Sequence, residues 1–137
     1  MQSSMIDAST IPLLEQVIRF SEARHSVLAG NIANLDTPNY RSRDLSVETF
    51  QKRLRELIEA QENQTISRSP GYIVDEPDRA MQRVHDSIKT ILFHDGSDVG
   101  IEQQVLELSK NQFMHTLAIS IMSSQFRLIE SAISERA

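Results

Sequence analysis

LAGNIANLDTPNYRSRD, residues 28–44, is the most informative stretch of this chain. Leu28, Ile32 and Leu35 recur at helical spacing, so the stretch opens as the last turns of an amphipathic helix. Pro38 lacks a backbone donor and pushes Thr37 out of the α region, so the helix has to finish before Thr37. Asn39 then takes a turn position where φ > 0 is often required, and Asn tolerates that better than any residue except Gly. Arg41, Arg43 and Asp44 lead on into an exposed, charge-alternating strand. A helix stopped this sharply, with Asn31 and Asn34 on its polar flank, fixes the angle between a long helix and the segment after it. It is an odd foundation for a catalytic site.

Further towards the N-terminus, Leu14, Ile18, Ser21, His25, Leu28, Ile32 and Leu35 repeat in steps of four and three, five of the seven being apolar. The C-terminus repeats the pattern with Ile101, Val105, Leu108, Gln112, His115, Ile119, Met122, Phe126, Ile129 and Ile133, eight of the ten apolar. Such seams belong to long coiled-coil-like helices. Asp95, Gly96, Ser97, Asp98 and Gly100 supply a loop and capping chemistry ahead of the second one. The expected fold class is therefore mainly α, with long N- and C-terminal helices packing as an antiparallel coiled-coil-like pair and a smaller irregular middle region. The expected organisation is residues 1–45 as helix plus turn motif, 46–100 as a variable middle, and 101–137 as the C-terminal helix.

Inside the middle, residues 48–62 predict a short helix with Phe50, Leu54, Leu57 and Ile58 on one face. Residues 64–77 predict a loop, with a turn at Ser69, Pro70 and Gly71 and an optional strand at 72–74. Met81, Val84, Ile88 and Ile91 favour a helix from Asp78 to about Leu92, although Ile91, Leu92 and Phe93 also suit an extended segment.

Polar residues interrupt both seams. If the terminal helices run antiparallel with His25 level with His115, Leu28 faces Gln112 and Ser21 faces Ile119. His25, Gln112 and His115 then form a polar layer that fixes register at some cost in stability. Two His without a nearby carboxylate or Cys make a poor metal site. A pH-sensitive assembly switch is the other alternative, because His changes charge near neutral pH.

Composition narrows the functional classes. The chain has 137 residues, enough for a modest core, and a net charge of −5 with scattered basic residues, which argues against nucleic acid. There is no Cys, and so no disulfide framework or Cys-based metal site. No phosphate loop, nucleophile elbow or His-Glu-x-x-His motif occurs, so neither an enzyme nor a cofactor or small-molecule substrate is expected. The polar start shows no cleavable secretory signal, and no apolar run is long enough to span a membrane.

Residues 31–40, NIANLDTPNY, followed by Arg43 and Asp44, closely resemble the N-terminal motif of bacterial flagellar rod and hook proteins, and among these the proximal rod branch. The usual pattern carries Gly where this chain has Asn39. Residues 95–102, then Asn111, Gln112, Phe126, Arg127 and Leu128, resemble the C-terminal region of the same family, although Gly100 stands where an acidic residue or Asn is common. The resemblance covers roughly residues 13–50 and 94–134. It implies a structural subunit of the flagellar basal body rod, transmitting torque from the MS ring toward the hook. It also implies export through the flagellar type III apparatus to the periplasmic space without signal cleavage. Copies of itself, other rod proteins (FlgC-like and FlgF-like), the FliE adaptor and the MS ring would be its partners.

On that reading the assembly seam comprises Leu14, Ile18, Leu28, Ile32, Leu35, Ile101, Val105, Leu108, Ile119, Met122, Phe126, Ile129 and Ile133. The turn motif comprises Asn31, Asn34, Asp36, Thr37, Pro38, Asn39, Tyr40 and Arg43. Tyr40 and Arg43 are the best candidates for contacts with neighbouring subunits, although Tyr40 could equally cap its own core. A cytosolic helical adaptor forming a soluble oligomer is the competing class.

Overall fold

The computed structural model describes residues 10–66, 76–89, 91–93 and 100–135. Along these, the order is α1 (Ile11–Ala33), β1 (Arg43–Leu45), α2 (Val47–Ile66), α3 (Glu76–Lys89), β2 (Ile91–Phe93) and α4 (Ile101–Ser134). The chain divides into two units: α1 with α4, and the segment from Arg41 to Gly96 that carries the other elements.

Pro12 lies in the first turn of α1, where a missing N–H leaves no helical bond unmade. The helix closes at Ala33, well short of Thr37, as Pro38 requires. α4 opens on Gly100, whose carbonyl accepts from the Gln103 and Gln104 amides at 3.0 and 3.2 Å. No side chain among the described residues caps it, and Gly100 acts through its backbone. Residues 94–99 lie outside the described residues.

α1 and α4 pack on each other antiparallel, with Asn31 beside Gln104 at one end and Thr10 beside Gln125 at the other. Their buried residues are Ile11, Gln16, Phe20, Ser21, Arg24, Leu28 and Asn31 from α1, and Gln104, Asn111 and Ala118 from α4.

The middle unit carries more regular structure than expected. Ser46 caps α2: its Oγ accepts from the Thr49 amide at 3.1 Å, and Glu48 adds negative charge to the first turn. α2 runs on to Ile66, past the loop expected from residue 64. Phe50 and Leu57 are buried as the spacing predicts, Leu54 is half-buried, and Ile58 faces solvent. Ala80 and Val84 of α3 complete this core with Leu45 and Ala60. Arg53 and Arg83 both reach Glu56, at 2.9 and 3.5 Å, tying α2 to α3.

The ambiguity after Asp78 resolves into both alternatives in succession. The helix ends at Lys89, and residues 91–93 pair antiparallel with β1 in the register Arg43 to Phe93, Asp44 to Leu92 and Leu45 to Ile91. A two-stranded ribbon needs an extended partner for residues 43–45, and the short apolar run supplies it. The turn expected at residues 69–71 and the strand at 72–74 lie outside the described residues.

Candidate assembly surface

Ile11, Phe20, Leu28 and Ala118 give the α1/α4 unit its apolar interior, but polar side chains write the register between the two helices. Asn31 Nδ2 donates to Gln104 Oε1 at 3.3 Å, and Asn111 Nδ2 to the Ser21 carbonyl at 2.7 Å. Ser21 Oγ lies 2.8 Å from His115 Nδ1. Arg24, only 5% exposed, reaches Glu107 at 2.9 Å, and Lys110 reaches the other carboxylate oxygen at the same distance. Hydrogen bonds from Lys110 first and Arg24 second hold the Glu107 carboxyl below its ordinary range. Each such bond is worth about 1 kcal/mol net, more where one partner is charged. Together they specify one register, because a slip breaks all of them at once.

That register corrects the expected one. His115 sits level with Ser21, about one helical turn from the alignment that would bring it to His25. His25 and Gln112 are exposed and His115 is half-buried, so the three do not form a layer inside this helix pair. The physical reason is complementarity that hydropathy does not register. Gln104 and Asn111 are spaced by a heptad with Ala118 a heptad further on, and the two polar residues meet Asn31 and Ser21 by hydrogen bonding. Polar residues one heptad apart, in line with a small one, are the signal that could have located this face.

The expected seam residues divide accordingly. Leu28 is buried, and Leu14, Ile18, Ile32, Leu108, Met122 and Ile129 are half-buried. Leu35 in the turn and Ile101, Val105, Ile119, Phe126 and Ile133 on α4 are exposed, the α4 residues by 43–58%. Of the eight apolar seam residues expected on α4, three are thus partly covered and five stand open.

The turn motif is tied back into this pair. Asn34 Nδ2 donates to the Gly30 carbonyl at 2.8 Å, closing the end of α1. The Thr37 amide reaches the Asn34 carbonyl at 3.0 Å, and the Tyr40 amide reaches that of Thr37 at 3.1 Å. Asn39 has φ 63°, the positive value the sequence anticipates. Tyr40 Oη donates to Asn31 Oδ1 at 3.1 Å, so the ring caps its own helix pair. Asp36, Thr37, Pro38 and Asn39 remain exposed, as does Arg43 at the start of β1.

The helix pair thus leaves an apolar face of α4 open to solvent, beside a turn braced by hydrogen bonds. Comparison with known proteins gives that surface its context. No family model and no solved structure matches the chain. The chain is 28% identical to the flagellar basal body rod protein FlgB of Borrelia hermsii, over 90% of this chain and 95% of that protein. It is 24% identical to FlgB of Bacillus subtilis, over 93% and 95% respectively. Over most of its length the chain is thus similar to FlgB rod proteins of distantly related bacteria. Against FlgB of Aquifex aeolicus, identity rises to 54% within a 35-residue stretch covering about a quarter of each chain. No helix among the described residues is long and apolar enough to cross a membrane.

Proposed function

We infer that this chain, similar to FlgB proteins over most of its length, is a structural subunit of the flagellar basal body rod, assembling through its terminal helices and acting mechanically rather than catalytically. The observation that carries this reading is the exposed apolar row Ile101, Val105, Ile119, Phe126 and Ile133 on a helix already packed against α1. Surface of that kind on a folded subunit favours contact with further chains. The expected assembly seam acts in two parts: Leu14, Ile18, Leu28, Ile32, Leu108, Met122 and Ile129 stiffen the subunit, and the open row, with exposed Leu35 in the turn, meets neighbours. The hydrogen-bonded turn at residues 36–40 keeps the end of α1 from unwinding, which suits a part that carries torque from the MS ring toward the hook.

The subunit's partners would be copies of itself, FlgC-like and FlgF-like rod proteins, the FliE adaptor and the MS ring. Residence in the periplasmic part of the basal body, reached through the flagellar type III apparatus without signal cleavage, completes the proposal. Deleting the gene tests it. The expected result is non-motile cells whose basal bodies stop at the MS ring, restored by the wild-type chain. Motile cells with complete rods would refute it.

A further inference from the structure

α4 carries a second apolar stripe that takes no part in its packing on α1. Leu106, Phe113, Leu117, Ile121 and Leu128 are 42–70% exposed. At 100° per residue they fall within a sector of about 80°, turned roughly 120° from Gln104, Asn111 and Ala118. Lys110 lies in the same sector between Leu106 and Phe113, paired with Glu107 at 2.9 Å, and from there to Arg127 the helix holds no Asp, Glu, Lys or Arg. The stripe therefore fits a helix face that is apolar over most of its length. The outward face of α1 is a poor match, because exposed Glu15, Arg19 and Glu22 would lose their water against it.

The stripe matches itself. Phe113 and Ile121 stand four residues either side of Leu117, and Leu106 and Leu128 stand eleven either side. A face that reads alike in both directions is what a two-fold contact requires.

We propose that this stripe joins two copies of the chain as an antiparallel pair centred on Leu117, with Leu106 of one copy level with Leu128 of the other and Phe113 level with Ile121. Lys110 then falls level with Ser124, so no like charges are brought together. The five side chains of each copy offer roughly 100 Å² apiece. That is about 1,000 Å² in all, near the lower limit for a specific interface. The pair is therefore weak and concentration-dependent. Its biological meaning rests on the rod reading: a two-fold contact closes on itself and cannot add a third copy through the same stripe. It covers the stripe before assembly in a form that does not polymerise.

The full chain in solution tests this without any basal body, so its failure is separable from failure of the rod reading. Sedimentation at rising concentration should show a shift from 15.6 kDa to twice that mass, abolished by Leu117→Glu. Because the chain has no Cys, Leu117→Cys should form a disulfide-linked dimer on mild oxidation. Mixed Leu106→Cys and Leu128→Cys chains should cross-link to each other several-fold faster than either to itself. A chain that stays monomeric, oligomers beyond the dimer, or preferential Leu106→Cys self-linkage would each overturn the proposal.

Discussion

Tyr40 Oη and Asn31 Oδ1 lie 3.1 Å apart, which ties the turn after α1 to the buried residue that also holds Gln104 of α4. One side chain thereby joins three segments: the helix, the turn and the C-terminal helix. Tyr40→Phe removes one partly buried hydrogen bond and should cost about 0.5–1.5 kcal/mol. Asn31→Ala strips both partners and should cost more, at least about 2 kcal/mol. Urea unfolding of the two variants checks the order. Equal losses would mean that Asn31 is not the junction.

Replacing Asn39 separates the turn's backbone from its side chains. At φ 63°, Asn39→Gly should be neutral or stabilising by up to about 1 kcal/mol, and Asn39→Val should cost about 1–2 kcal/mol. Thermal unfolding of the pair measures it. A Val variant as stable as the Gly variant would contradict the left-handed conformation.

Glu107 gives the helix pair an acid dependence. Its carboxyl is held low by Lys110 and Arg24, so folding is favoured wherever it is ionised in both states. That contribution is complete above the unfolded value and is lost as pH falls through the lower folded value. Stability of the wild type should therefore decline below about pH 4.5 more steeply than that of Glu107→Gln. Denaturant titrations between neutral and acid pH would show it, and parallel curves would exclude Glu107 as a contributor.

Phe20 and Phe126 should behave oppositely. Phe20 is fully buried, and Phe20→Ala should cost about 3–5 kcal/mol. Phe126 is 48% exposed, so Phe126→Ala should change monomer stability by less than about 1 kcal/mol while impairing motility in cells. Full motility of a stably expressed Phe126→Ala strain would remove Phe126 from the proposed contact.

The backbone is more legible in the sequence than the packing. Pro38 marks the end of α1 and Asn39 the positive φ, because both effects are local and steric. The two long helices follow from apolar periodicity alone. Which face of α4 meets α1 does not, since α4 carries apolar residues on several sides and hydropathy ranks Ile101 and Phe126 above Gln104 and Asn111. The observed pairing is chosen by hydrogen bonds between residues far apart in sequence, such as Arg24 with Glu107. The same limit applies to the segment after Lys89, where residues 91–93 pair with residues 43–45, a partner far away in sequence.

Whether the chain is built into the rod can be read by mass spectrometry of detergent-extracted basal bodies from the source bacterium. A rod subunit should be found there at full length, its N-terminal peptide uncleaved, in amounts stoichiometric with other rod proteins. A chain abundant in the cytosol and absent from the basal bodies would contradict that role.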